Sequence, residues 1–278
     1  MLAPSELILN PDGSVYHLHL HPEQIAPTII TVGDPERVAQ VSSRFDATEY
    51  RVAAREFVTH TGRVGDHRVS VISTGIGTDN IDIVINELDA LVNIDLANRT
   101  VRPEHTQLTF LRLGTSGAFQ PDLPLGSLLL SAGALGMDGL LPYYTGRQPV
   151  PAGLAELELP VRPVLVRPEL PPALLRSDLP RGITLTAAGF YAPQGRSLRL
   201  PSAFTPAQLA GLRRWRTPDG LRLTNIEMET AGIYGLAGAL GHRAASVSVL
   251  LANRALGTFH DDARGAVARL IDFGMELI

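Results

Sequence analysis

At 278 residues the chain has room for one large α/β domain with an ample core. Its 45% hydrophobic and 19% charged residues, with a net charge of −4, mark an ordinary globular protein and set aside a wholesale nucleic-acid binder, which shows a strongly basic face. The sequence holds no cysteine and no lysine, so disulfides, thiol nucleophiles and lysine Schiff bases are excluded, and any anion site must be built from arginine forks.

Met1–Ser14 lacks the basic start and apolar run of a signal peptide. The longest charge-free apolar stretch, Leu123–Met137, is interrupted by Pro124, Gly126, Gly133 and Gly136. It also falls short of the ~18 residues a membrane helix needs. A cytoplasmic enzyme is the expectation, with no membrane and no nucleic acid among its partners.

In chain order, Thr28–Val32 (TIITV) reads as a buried strand running into Gly33-Asp34-Pro35. There Asp34 suits a helix N-cap and Pro35 its first turn, and the helix continues to about Phe45. Val69–Ser73 is a second strand, followed by Thr74-Gly75-Ile76-Gly77. Asp79 then caps a helix whose apolar face is Ile81, Val84, Ile85, Leu88 and Leu91. Leu108–Leu113 is a third strand, ending in the turn Gly114-Thr115-Ser116-Gly117. Leu128–Ser131 and Ile183–Thr186 are further strands, Glu227–Leu240 is helical, and Ala244–Ala252 is a buried strand. The Pro-rich segment Pro142–Pro180 reads as packed loops with one short helix. Strands alternating with helices predict an α/β sheet protein, and no composition shift divides it, so residues 1–278 are read as a single domain.

Three strand ends thus release glycine-rich turns. In such a sheet ligands sit at the C-terminal strand edges, where backbone N–H groups face an anion, although the same turns also serve plain connection. Arg37 lies one helical turn beyond Gly33, and Arg112 sits on an apolar strand just before Gly114. A buried arginine needs an anion: either a core carboxylate or a bound oxyanion, to which Thr115 would add a donor. Glu227 and Glu229, two apart, diverge on a helix. With Glu227 in the turn before it, both reach one ligand and suit the vicinal hydroxyls of a sugar; an acidic helix start is the alternative. In GFYAPQGR (189–196), an aromatic pair followed by Gln194 and Arg196 fits either a flat heterocycle or an ordinary Pro-Gly loop. No P-loop, GxSxG or HExxH motif occurs. His17, His19 and His21 alternate along one side of any strand, and no metal site is expected.

At these residues the chain resembles the uridine phosphorylase branch of the nucleoside phosphorylase family. The resemblance runs from Val15 to Arg254 in order: VYHLHL (15–20), VGDPERV (32–38), REF (55–57), STGIG (73–77), LRLGTSGAFQPDLPLG (111–126), FYAPQGR (190–196), IEMET (226–230) and ANR (252–254). It implies a three-layer α/β fold, a twisted mixed central sheet flanked by helices. It also implies dimers, usually within a hexamer, with an active site shared between subunits. Gly33, Arg37, Arg112 and Thr115 would bind phosphate, joined by Arg55 from a neighbour. Glu229 and Met228 would hold the ribose with Glu227 close by, and a neighbour's His17 would reach the 5′-hydroxyl. Phe190 would pack on the base, Gln194 and Arg196 would read its edge, and Arg254 would lie near O4. Arg112, Glu229 and Arg196 would carry catalysis.

The implied activity is phosphorolysis of a nucleoside, uridine first, to free base and ribose 1-phosphate, a pentosyl transfer that needs no cofactor. A purine nucleoside phosphorylase, a nucleosidase of the same fold and a non-catalytic nucleoside-binding protein are the alternatives. Three arginines argue against the nucleosidase. Purine-cleaving relatives carry an Asp after the last core strand, where this chain reads Leu251-Ala252-Asn253-Arg254, although Asp261 and Asp262 follow. The sequence departs from the family's STGIGGPS at Thr78, Asp79 and Asn80. The potassium ion of some relatives depends on a Ser at the Asn80 position, while Glu56 and Ile76 match.

Overall fold

The structure, a computed structural model, describes residues 1–278. The β-branched run Thr28–Val32 forms β1, buried at four of its five positions. Asp34 caps α1 (Pro35–Ser42), its carboxylate accepting from the Glu36 N–H at 2.9 Å. The helix stops three residues before Phe45. Ser42 and Ser43 turn their hydroxyls onto the Ala39 and Gln40 carbonyls, competing with further helical bonding.

The chain then makes β2 (Ala47–Ala54) and β3 (Phe57–Val64), which the sequence reading missed, before β4 (His67–Ser73). β2 is largely exposed and carries little apolar signal. In β3 the buried His60 and Thr61 are satisfied instead: the His60 ring meets the Ser42 hydroxyl at 2.8 Å, and the Thr61 hydroxyl lies 2.6 Å from that of Ser70. Helix α2 (Thr78–Asn93) buries Ile81, Val84, Ile85, Leu88 and Leu91 as its periodicity requires. Its N-cap, however, is Gly77 at φ 101°, and the exposed Asp79 makes no cap hydrogen bond. A ribbon of β5 (Ile94–Asp95) and β6 (Thr100–Val101) follows.

Strand β7 spans Thr109–Ala118, so Gly114-Thr115-Ser116-Gly117 is not a turn; it continues the strand, paired with β12 across a bulge at Leu251. β8 is Leu128–Met137. Pro142–Pro180 holds two short helices rather than one, α3 (Pro142–Thr145) and α4 (Pro172–Leu175). Between them lie a 3-10 turn at Ala155–Leu157 and the strand β9 (Val164–Val166), which gains its partner from β8. β10 (Arg181–Ala187), α5 (Pro206–Arg214), β11 (Leu223–Glu227), α6 (Thr230–Ala239), β12 (Arg243–Asn253), β13 (Thr258–Phe259) and α7 (Ala263–Met275) complete the chain. Glu227 therefore ends a strand, and the helix expected from it begins three residues later.

The main sheet runs β13-β12-β8-β10-β11-β7-β1-β4-β3-β2, with β9 beside β8 and a further pairing of β12 to β7. That pairing closes β7, β12, β8, β10 and β11 into a ring. The sheet is mixed: β1 lies parallel to both β4 and β7, whereas β11 meets β7 antiparallel. Alternation along β1, β4 and β7 feeds two cores, and a third gathers residues of β8, β10 and β11 with Leu212 and Trp215. Ile29, Ile72 and Phe110 pack against α2 and α6 on one face. Ile30, Val32, Val71, Leu111 and Leu113 meet α1 and α7 on the other. Each such side chain contributes about 1.5–3 kcal/mol by leaving water. The result is three layers, a twisted mixed sheet between helices, as the sequence predicts. The register sets Val32 beside Ser73 and Thr31 beside Arg112, so the ends of β1 and β4 open beside the middle of β7.

Candidate active site

A cavity of about 800 Å³ opens at these strand ends. Gly33, Arg37, Gly75, Arg112, Gly114 and Thr115 line one part of it, Glu227, Met228 and Glu229 another, and Phe190, Gln194, Arg196, Ile226, Leu251 and Ala252 a third. Ten of the residues singled out in the sequence thus share one wall system: Gly33, Arg37, Arg112, Thr115, Phe190, Gln194, Arg196, Glu227, Met228 and Glu229.

Arg112 is buried on β7 and sits between two carboxylates, 2.6 Å from Glu229 and 3.1 Å from Glu227. Its other nitrogen faces the hydroxyls of Ser248 and Ser246 at 3.2 and 3.5 Å. Burial opposes the charge, but the two glutamates outweigh it and hold the guanidinium above its ordinary value. Of the two partners left open by the sequence for Arg112, the core carboxylate is present. The paired serines on β12 were missed, although the polar alternation in the buried run Ala245-Ser246-Val247-Ser248 is a local trace of them.

The two glutamates have different duties. Glu227 accepts from the Thr186 hydroxyl at 2.6 Å and from the backbone N–H groups of Glu229 and Thr230, both at 2.9 Å. Its carboxylate is engaged with the start of α6, while the residue still lines the cavity beside Met228 and Glu229. Glu229 holds the N-cap position of α6 itself. It accepts from the Gly77 N–H at 2.9 Å and from Arg112, and burial holds its carboxyl above the ordinary range against the pull of Arg112.

Arg37 has no carboxylate partner; its nearest acceptor is the Leu113 carbonyl at 3.5 Å. Burial pulls its guanidinium below the ordinary value. It is an under-compensated cation facing the same cavity as Arg112. Close backbone approach supports this end: a Cβ on Gly33 would come within 3.3 Å of the Gly75 carbonyl.

At the opposite end Arg196 stacks on Phe190, 3.8 Å from the ring centre, and donates to Gln194 Oε1 at 2.6 Å. Burial and the nearby Arg254 bring its guanidinium down to about 10. Arg254 does not line the cavity; it packs behind Gly117, with one guanidinium nitrogen on the Gln194 carbonyl at 3.2 Å and the other buried without a partner.

His17 and Arg55 stand apart from this cavity. His17 meets Glu87 at 2.5 Å, Tyr16 lies edge-on to it, and the exposed Arg55 covers Tyr16 at 5.6 Å. His19 and His21 do not join His17 around a common point; the one group with metal-ligand spacing is Asp89, His105 and His242. Glu56, Ile76 and Asn80 line the cavity edge around Gly75, with the Asn80 amide packed beside the glycine.

No acid stands at the wall formed by Leu251 and Ala252. Asn253 points away, donating to the Gln120 and Leu123 carbonyls at 3.1 Å and accepting from the Ala255 and Leu256 N–H groups. Asp262 is the N-cap of α7, bonded to the Gly265 N–H at 2.8 Å, and neither it nor the exposed Asp261 reaches the cavity.

Residues 27–278 match the family model described as the phosphorylase superfamily. The chain is 34% identical over 251 residues to the uridine phosphorylase of Thermococcus kodakarensis, covering 89% of this chain and 80% of that one. It is 29% identical over 234 residues to a DeoD-type purine nucleoside phosphorylase of Geobacillus, covering 83% of each. Among solved structures, a Trypanosoma brucei nucleoside phosphorylase that shows uridine phosphorylase activity superposes with a TM-score of 0.84 at 27% identity, covering 98% of both chains.

Proposed function

The chain belongs to the phosphorylase superfamily, and from that premise we propose that it is a uridine phosphorylase, splitting uridine with inorganic phosphate into uracil and ribose 1-phosphate. The observation that carries the reading is the pairing, in one cavity, of an under-compensated Arg37 with the carboxylate-bound Arg112. A pocket that keeps a partly buried cation without a carboxylate is prepared for an anion.

The chemistry follows from this layout. Phosphate is a weak nucleophile, and Arg37, Arg112, the Gly33 backbone and Thr115 hold it against C1′. Positioning of this kind supplies up to about 7–11 kcal/mol in the best intramolecular cases. Glu229, with the Met228 backbone, takes the ribose hydroxyls. A phosphate oxygen bonds to C1′ while the bond from C1′ to N1 breaks and its electron pair stays on the base, which becomes neutral uracil by taking up the proton that the hydrogen phosphate gives up. The sugar passes through an oxocarbenium-like state that the phosphate charge stabilises. Negative charge spreads onto the uracil carbonyls, where Gln194 and Arg196 donate. The depressed guanidinium of Arg196 gains most when that charge arrives.

Uracil is favoured over a purine because the wall at Leu251–Asn253 offers no acid to protonate a purine N7. Phosphate is favoured over water because a hydrolase has no use for the arginine pair. Arg254 completes the base end from behind Gly117. His17 and Arg55, lying on the outer surface, serve the cavity of a neighbouring copy in a homodimer or homohexamer. No helix is long and apolar enough to cross a membrane, and a cytoplasmic setting belongs to the same reading. The reaction requires neither metal nor organic cofactor.

The test is incubation with uridine, thymidine and inosine, each with and without phosphate. Phosphate-dependent release of uracil with equimolar ribose 1-phosphate is expected. Phosphate-independent release would favour a nucleosidase, and preferred cleavage of inosine a purine enzyme.

A further inference from the structure

Beneath the cavity a chain of buried hydroxyl and amide groups links four strands. The Ser131 hydroxyl on β8 meets that of Thr184 on β10 at 2.5 Å. Thr184 donates to Asn225 Oδ1 on β11 at 2.8 Å, and the Thr224 hydroxyl approaches the same oxygen at 3.1 Å. Asn225 is fully buried, and its Nδ2 donates to the Ser116 hydroxyl on β7 at 2.9 Å. Ser116 lines the cavity between Thr115, at the anion end, and Gly117, which shields Arg254 at the base end.

The direction of this chain has a consequence. Hydroxyl protons occupy Asn225 Oδ1, which turns the amide's donor side to Ser116. The Ser116 oxygen is then an acceptor toward the protein, and its own proton is left for the cavity.

We infer that Ser116 is a specificity-determining donor to a carbonyl oxygen of the nucleobase, and that Asn225 is the positioning residue that aims its proton. The inference rests on the reading of the cavity as a uridine site. Of the two uracil carbonyls, the one next to the glycosidic nitrogen suits a donor placed between the anion and base ends. Charge reaches that oxygen as the bond to C1′ breaks, so the contact strengthens in the transition state.

Ser116→Ala is expected to lower kcat/KM for uridine about tenfold, the scale of one hydrogen bond, while KM for phosphate stays within about twofold. Ser116→Thr, which keeps the hydroxyl, recovers the activity. Asn225→Asp replaces the donor by an acceptor, draws the Ser116 proton inward, and reproduces the loss. Combining Ser116→Ala with Asn225→Asp adds nothing further, because both act through one hydroxyl. Unchanged uridine kinetics in Ser116→Ala, or in a folded Asn225→Asp, overturns the assignment, as does a multiplicative loss in the pair. If Asn225→Asp fails to fold, the Ser116 variants decide alone. If the wild type releases no uracil with phosphate, the functional reading fails by itself. Calorimetric titration of uracil into wild type and Ser116→Ala then tests the donor, and equal affinities or no binding overturn it.

Discussion

The Arg112 guanidinium occupies the space a side chain at Gly114 would need: a Cβ built there falls 1.8 Å from its nearest nitrogen. Both residues lie on one face of β7, two apart, so the arginine folds back over the glycine to reach Glu229 across the cavity floor. Gly114 is required by this close approach, not by its backbone angles.

Gly114→Ala therefore displaces Arg112 from its carboxylates. A fall in kcat/KM for uridine of about 10²–10³ is expected, the scale for losing one preorganised donor at a reacting centre. Steady-state kinetics with a thermal melt checks it; a folded variant with near-normal turnover would show that Arg112 acts from elsewhere.

Arg37 forms no salt bridge and its hydrogen bond is to the Leu113 carbonyl, with Asp34 and Glu229 acting on it only through their charge, so its removal strands no directly paired carboxylate. Arg37→Ala should raise KM for phosphate by ~10–100-fold, as expected for a charge-assisted contact, with KM for uridine little changed and thermal stability maintained or improved. Phosphate titrations at fixed uridine measure this directly.

Glu229 is held above its ordinary value of 4.5 by burial. The folded state thus favours its protonated form. Its contribution to stability is in full below that ordinary value and is lost as pH rises through the folded-state value. In the proposed mechanism the ionised form takes the ribose hydroxyls. The pH profile of kcat/KM for uridine should carry an acid limb centred above 4.5, and Glu229→Gln should remove the limb at an activity lower by about 10–100-fold. Persistence of the limb in Glu229→Gln would assign it to another group.

Asn253 anchors a turn with its side chain aimed away from the cavity. Asn253→Asp should not confer inosine cleavage. It should instead destabilise the protein by about 1–3 kcal/mol, since a carboxylate would replace a donor facing two buried carbonyls. Denaturant melts and an inosine assay report both effects.

Much of this was legible in the chain itself. The run Thr28–Val32 matches β1 residue for residue, and the apolar face of α2 is the one its spacing predicts. Such features depend on neighbours within a few positions, and burying an apolar stripe or a β-branched run has few solutions. The cap of α2 did not follow, because Gly77 takes a positive φ while its N–H is drawn to Glu229, a residue 152 positions away. For the same reason Gly114-Thr115-Ser116-Gly117 read as a turn: glycine spacing alone does not reveal that β12 pairs with it, with one bulge at Leu251. Local periodicity and the ordered motifs thus determined the layers, the family likeness and the residue types at the cavity. Only the tertiary structure decided that Arg112 meets Glu229 across 117 residues, that Glu227 accepts from the start of a helix, and that Asn225 turns toward Ser116. Those relationships are set by strand order and register, which bring distant segments together and leave no trace at the spacing of neighbours along the chain.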